Sequence, residues 1–533
     1  MLNFKKNTDM KSIKFVGFFT LLSLCFAACE KDYLDTMPTA QVSTATVFET
    51  TENAKMAVNG IARLMVMQQL STQTQCGEGT IKYLHGEYFG ENFSRPALAS
   101  GWYTVMNATT HESSTSLYAY YPWYYYYMLM GNANTIIDNI DNARGPDTEK
   151  QFIKAQALTY RAYCYTMLVQ FYCYRWADSN NGTSVTNLMD GLVLRTEENI
   201  SETDIPLSAS GEIYRQIYSD LDQAIDLFQK SGLTRGKIWE PNINVAYATY
   251  ARAAITRQDY TKAAEMAPRA RQGFALMTNT EYFAGFAAPN SEWIWGSYGG
   301  EDQTLYFYGF HSYMAFDAET SIIRTYPVCI SKTLYERIPD TDIRRNLFLD
   351  PGTTAYNTVG TIPTTDPLAI ATRAAHPPMT SAFVIAAYMA FKFSIKGSIG
   401  VGYINHFRSS EMILIEAEAN YYNNNFTAAQ NLLNTLTRDS GRDPAYTCTA
   451  TGADLLREIK FYRAVELWGE GFDWFDKKRY NEPIVRLGFN NGGNFGAPTD
   501  VTRPVDYGNR WTNVTPLIER EQNKAIGDPN WKP

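Results

Sequence analysis

The stretch VAYATYARAAITRQDYTKAAEMAPRAR, Val245–Arg271, reads as two helices folded back on each other at Gln258 and Asp259. Ala263 and Ala270 lie seven apart with Tyr260 ahead of them, and small side chains at that spacing let paired helices approach closely. The arrangement recurs in ILIEAEANYYNNNFTAAQNLLNTL, Ile413–Leu436, where Phe426 and Ala429 stand in the places of Tyr260 and Ala263. Two such pairs predict a scaffold of stacked helices.

Each pair resembles a tetratricopeptide repeat. Upstream, VFETTENAKMAVNGIARLM predicts a helix, with Ala54, Val58, Ile61 and Met65 on one stripe. A second stripe runs through Trp123, Tyr127, Met130, Asn134 and Ile137, and further helices are expected at AQALTYRAYCYTMLVQFYC and GEIYRQIYSDLDQAIDLF. From about Ser71 to Ser116 the chain has no helical period and reads as a long loop, a place where function concentrates. Between residues 280 and 405 glycine, proline and aromatics dominate, which predicts a loop-rich lobe inserted between the repeats; SEWIWG, with Trp293 and Trp295, reads as a core strand within it.

The N-terminus sets location. FFTLLSLCFAAC, Phe18–Cys29, follows Lys5, Lys6, Lys11 and Lys14, is too short to span a bilayer, and ends in two alanines before Cys29. This is the pattern of a lipoprotein signal, with acyl chains on Cys29; an ordinary cleaved signal is the alternative, and Met10 could equally be the start. Residues 1–28 carry four lysines and one aspartate, so their removal takes the net charge from −8 to about −11. A net negative charge argues against nucleic acid as a partner. Cys76, Cys164, Cys173, Cys329 and Cys448 are odd in number and irregularly spaced, which argues against a disulfide framework.

No motif calls for a metal or cofactor. His85, His111, His311, His376 and His406 are scattered, and GSIGVG at 397–402 has the wrong spacing for a dinucleotide loop. Asp340, Asp342 and Asp350 read as helix caps or a solvated acidic face, with calcium binding as the alternative. Aromatic residues make up 14% of the chain, including 37 tyrosines and 10 tryptophans; such rings suit sugar faces or a tyrosine-rich core.

Several blocks, in this order, resemble the SusD/RagB family of surface lipoproteins: Cys29 with Tyr33, Leu34 and Pro38; the helix from Phe48 to Ile61; Trp123 leading to Ala133 and Asn134; and Tyr160-Arg161-Ala162. They continue with SDLDQAIDLF at 219–228, LYERIPDTDIRR at 334–345, FRSSEMILIEAEAN at 407–420, REIKFYRAVELWGEGFDWFDKKRY at 457–480 and DPNW at 528–531. Arg463 with Glu466, and Glu470 with Arg479, are placed for ion pairs that tie helices together. Gln156 departs from a glutamate usual in the family, which weakens an expected helix-to-helix pair, and Cys173-Tyr174-Arg175-Trp176 departs from the usual Gly-Asp-Val-Pro.

The resemblance implies a mainly α protein: a tetratricopeptide-like scaffold of about four helix pairs carrying an irregular lobe with short strands. The expected segments are a signal peptide at 1–28, a lipidated tether at 29–45, helical repeats with a binding loop at 46–280, the lobe at 281–405, and a C-terminal repeat region at 406–533. It also implies a non-catalytic, outer-membrane, cell-surface protein that binds an oligosaccharide and delivers it to a TonB-dependent, SusC-like transporter. A peptide-binding member of the family and a lipid-anchored glycoside hydrolase are the alternatives. Ligand contacts are expected from two segments: Glu87, Asn92, Arg95, Trp102 and Tyr103 in the first, and Tyr298, Asp302, Tyr306, Tyr308 and His311 in the second.

Overall fold

A computed structural model describes residues 44–70, 75–97, 103, 105–179, 182–183, 190–300, 309–395, 397–507 and 510–526. Helix α1, Thr51–Leu64, starts where the Thr50 side chain accepts the Asn53 N–H, and it buries Ala54, Val58 and Ile61 on the expected stripe. Helix α2, Leu117–Asn139, buries Trp123, Met130, Asn134 and Ile137. Helix α3, Asp147–Tyr172, is buried on nearly every side, because α2, α4 (Ser210–Ser231) and α5 (Ile243–Arg257) pack around it.

The hairpin over Val245–Arg271 forms as its spacing predicts. Helix α5 ends at Gln258 in the left-handed region (φ 65°), and Asp259 then caps α6, Tyr260–Ala270, by accepting the Lys262 N–H. Ala263, Ala267 and Ala270 are buried against α5. Helix α7, Ser409–Tyr422, packs on α6 and pairs with α8, Phe426–Asn434, where Ala429 is buried. Tyr260 and Tyr422 stack with ring centroids 4.1 Å apart, which locks one hairpin to the next. Helices α9, Gly452–Glu466, and α10, Asp473–Tyr480, complete the C-terminal part. The molecule is mainly helical, a repeat scaffold with small strand-containing insertions.

Between α6 and α7 the chain leaves the scaffold and returns as an antiparallel pair, β1 (Trp293–Gly299) with β2 (Gly402–Arg408), in which Tyr298 faces Tyr403. Trp293 and Trp295 are core residues, as SEWIWG predicts. Strand β2 runs straight into α7, so the lobe closes where the second hairpin begins.

The stretch from Ser71 to Ser116 is not simply a loop. Gly77–Thr80 is helical, Ile81–Tyr88 forms a π-helical turn, and all twelve residues are buried. Contact with the segment after α9 is the reason. A Cβ on Gly86 would lie 2.3 Å from the Gly471 carbonyl oxygen, so only glycine allows the approach. Across it, Lys82 Nζ donates to the Glu470 carbonyl (2.9 Å), and the Gly471 N–H donates to Glu87 Oε1 (2.6 Å). Trp468 Nε1 donates to the Asn92 carbonyl (2.8 Å).

Beside this contact lies a buried ionic cluster. Arg408, at the end of β2, donates to Glu292 (2.7 Å), Glu466 (2.7 Å) and Glu470 (2.7 Å and 2.9 Å). Arg344 bridges Asp342 (2.6 Å) and Glu466 (3.0 Å), and Lys392 Nζ reaches Glu470 (2.7 Å). The ion pairs expected along the C-terminal block exist with other partners. Arg463 pairs with Asp476, Arg479 pairs with Glu418 and Asp476, and Glu466 and Glu470 turn inward to Arg408. Burial alone would raise the Glu466 carboxyl, but Arg408 and Arg344 outweigh it and hold it well below the usual range. Against the same burial, Arg408 and Lys392 hold Glu470 at about 2.

Arg161 ties α3 to α4 through Asp220 (2.6 Å) and to α2 through Asn134 (3.0 Å). Gln156, where an ion pair was expected, donates to the Pro241 carbonyl instead (3.0 Å). Asp342 caps the turn at Arg344, while Asp340 and Asp350 pair with Arg345. The five described cysteines are buried and unpaired. Among the described residues no helix is long and apolar enough to cross a membrane.

Candidate functional site

The polar residues expected to contact ligand in the first segment are committed inside the fold. Glu87 accepts the Gly471 and Phe472 N–H groups, and burial first, then the Asp473 carboxylate, raises its pKa. Asn92 donates from its backbone and side chain to Asp473 (2.6 Å and 2.7 Å). Arg95 donates to the Tyr326 carbonyl (2.8 Å) and to that of Tyr313. Each satisfies backbone or carboxylate groups that would otherwise be stranded, and Glu87 and Asn92 also line the cavity over Trp468 and Phe472. His311, from the second segment, is also buried, and burial pushes its pKa down to about 4. Tyr103 is half-buried against the core. Trp102, Asp302, Tyr306, Tyr308 and Cys29 lie outside the described residues.

Tyr298 is different. It is 40% exposed on a strand whose other residues are buried. Across the ladder its ring lies 4.7 Å from Tyr403, and on the other side it stacks on Trp239 at 6.3 Å with 24° between the planes. The segment between α4 and α5 that carries Trp239 is fixed from below. Its carbonyl accepts from Tyr160 Oη (3.2 Å) and Trp295 Nε1 (3.1 Å), and Arg235 Nη1 donates to the Ile294 carbonyl (2.7 Å). With its backbone anchored in this way, the half-buried Trp239 ring stands beside Tyr298 as a preformed platform.

The platform forms one wall of a cleft of about 680 Å³. Helix α1 supplies the facing wall with Lys55, Asn59 and Arg63, spaced by four along the face opposite its apolar stripe. Lys237 Nζ sits 5.9 Å from the Trp239 ring. Glu240 is the one described carboxylate in the lining; it is buried and its Oε2 accepts the Gly236 N–H (2.7 Å). Lys55 also lines a neighbouring depression of about 580 Å³ bounded by Glu149, Gln156 and Thr234. The cleft size falls in the range of small-ligand sites, with flat rings on one side and hydrogen-bonding groups on the other.

A smaller cavity of about 240 Å³ lies over Trp468 and Phe472. Most of its charged groups are already paired, Arg463 with Asp476, Lys477 with Glu91 and Glu482, and Lys460 with Glu482, whereas Glu87, Asp473 and Arg337 are in no ion pair among the described residues. That pairing makes it the weaker candidate.

Trp239, Lys237, Lys55, Asn59 and Arg63 were not found by sequence reasoning. The available signals were a tryptophan in the turn-like GKIWEPN between two helices, and the polar stripe on α1.

The chain matches a family model described as SusD-like, starch-binding associating with outer membrane, over residues 32–255. A SusD family model matches residues 352–528. Among solved structures it is similar to a SusD-like carbohydrate binding protein from Bacteroides vulgatus ATCC 8482, at 23% identity and TM-score 0.73, covering 90% of this chain and 98% of that one. It is also similar to a SusD superfamily protein from Bacteroides thetaiotaomicron VPI-5482, at 19% identity and TM-score 0.69, covering 90% and 100%. A SusD-like carbohydrate binding protein from Bacteroides fragilis NCTC 9343 shares 16% identity at TM-score 0.64, covering 90% and 100%. A comparison with the curated proteins finds no match. Two models of one family matching most of the chain in order, on a repeat scaffold shared along nearly its whole length with solved SusD-like structures, place this chain in the SusD/RagB family.

Proposed function

We propose that this protein binds an oligosaccharide without cleaving it, in the cleft bounded by Trp239, Tyr298 and α1, and passes it to a TonB-dependent outer-membrane transporter. The observation that carries the reading is the half-buried Trp239 ring beside the exposed Tyr298 ring, with a polar face of α1 in the same cleft. Sugar C–H faces stack on such rings, while Asn59 and the basic side chains hydrogen-bond hydroxyl groups. Family membership supports the same assignment, and the solved relatives include SusD-like carbohydrate binding proteins. Glycosidases use two carboxylates flanking the scissile bond, whereas the described lining of this cleft holds Glu240 alone.

Trp239→Ala combined with Tyr298→Ala should reduce binding of whichever oligosaccharide a glycan array identifies by at least about tenfold. The melting temperature should move by no more than about 2–4 °C, because both rings keep a solvent-facing side. Unchanged affinity in the double variant would remove the cleft as the site.

For the cell-surface part of the proposal, Cys29 is the lipidated residue and the transporter is the partner. Gentle detergent extraction of native membranes should recover the protein with a β-barrel transporter, and Cys29→Ala should shift it to the soluble fraction. A variant that stays membrane-bound would count against the anchor, and a protein recovered alone would count against the partner.

A further inference from the structure

We infer that the oligosaccharide taken by this cleft is anionic, bearing uronate or sulfate groups; this rests on the cleft being the glycan site. The charge of the lining is the starting point. Lys55 and Arg63 project from α1, Lys237 stands on the facing wall, and the single described carboxylate, that of Glu240, is 6% exposed and tied to the Gly236 N–H. On a chain of net charge −8, three cations against one buried anion is a local reversal of sign.

Many basic residues elsewhere are paired with carboxylates. Arg161, Arg252, Arg344, Arg408 and Arg479 all sit in ion pairs. Lys55 and Lys237, in contrast, have no acidic partner within ion-pair distance among the described residues. A neutral sugar gives an ammonium group only hydroxyl acceptors, whereas a carboxylate or sulfate gives a charge-assisted bond about twice as strong. Position matters as well. Lys237 Nζ lies 5.9 Å from the centre of the Trp239 ring, within reach of a charged substituent on a sugar bound at the platform. Lys55 stands between the cleft and the neighbouring depression; because Glu52 and Glu149 also line that depression, the anionic groups belong at the platform end of the cleft.

Calorimetric titration of the full chain in detergent tests this with three probes: a galacturonic acid hexamer, a chondroitin sulfate hexasaccharide and a neutral galactan hexamer. At about 0.02 M salt one of the two anionic probes should bind at least about tenfold more tightly than the neutral one. Raising the salt to about 0.3 M should close most of that gap, because screening shortens the reach of the lysines. Lys55→Gln with Lys237→Gln should erase the preference by weakening the anionic probes far more than the neutral one, and Trp239→Ala should weaken every probe that binds. Preference for galacturonate identifies a carboxylate ligand and preference for chondroitin sulfate a sulfated one; either supports the inference. If the neutral hexamer binds as tightly as both anionic probes and the lysine variant changes nothing, the inference falls while the glycan cleft stands. If no probe binds, or Trp239→Ala leaves binding unchanged, the cleft assignment falls and the inference with it.

Discussion

Arg408→Met should lose about 3–5 kcal/mol in urea denaturation, because it leaves the carboxylates of Glu292, Glu466 and Glu470 in the interior without their shared cation. Removing one partner of a buried pair costs more than the pair contributes, since the remaining charge keeps its desolvation penalty. The contrast is the exposed Lys230–Asp226 pair on α4, where Lys230→Ala should cost no more than about 0.5 kcal/mol. A loss below about 1 kcal/mol for Arg408→Met would show that the cluster is not held by its charges. The wild-type chain should also be acid-sensitive in a defined window. Glu466 and Glu470 have folded pKa values below the ordinary 4.5, with Glu470 at about 2. Their contribution is therefore complete above about pH 4.5 and is lost as the pH falls toward 2. In Arg408→Met that acid-dependent loss should shrink, because Glu466 is left with Arg344 and Glu470 with Lys392 alone.

The second large effect is expected at Trp468. This ring is 2% exposed, stacks on Phe93 at 5.8 Å, meets Phe348 edge-on at 4.9 Å and donates to the Asn92 carbonyl. Trp468→Ala should cost about 3–5 kcal/mol through lost burial and the cavity left behind. Trp468→Phe keeps most of the apolar contact and gives up the N–H bond, so about 1 kcal/mol is expected. The Asn92 carbonyl retains the Ser331 N–H, which limits the penalty of the second substitution. Equal losses for the two variants would mean that the hydrogen bond, and not ring packing, dominates. Neither substitution touches the cleft at Trp239, so oligosaccharide affinity measured below the melting temperature should not change.

The helices were legible because one face of each is apolar and the period survives in the text. Ala54, Val58, Ile61 and Met65, and the turn at Gln258 and Asp259, could be placed from spacing alone. Residues 77–88 could not, because they are buried on all sides and pass through a π-helical turn that breaks the ordinary period. Gly86, Glu87 and Asn92 therefore look like a polar loop in sequence, while the groups that satisfy them lie near residues 471–473. Arg95 and His311 misled for the same reason: a polar residue in an aperiodic stretch has the same local text whether it faces solvent or the interior. Tyr298 was visible as an aromatic at the end of a strand. Trp239 was not, because its value comes from meeting Tyr298 across the molecule, and no local pattern encodes that encounter.

The contact between residues 82–92 and 468–473 also sets a clock on folding. Glu87 and the Gly471 N–H that it accepts are separated by 384 residues. At a synthesis rate of about 5–20 residues per second, roughly 20–80 s pass between the emergence of one partner and the other. Throughout that interval the π-helical turn has no N–H groups to quench its carboxylate and no Trp468 to pack against, so the native core cannot close. Contacts of such long sequence separation are also slow to form once both partners exist. The part of the core built on residues 77–92 therefore stays open for most of the synthesis, which would suit the export route proposed for the run ending at Cys29.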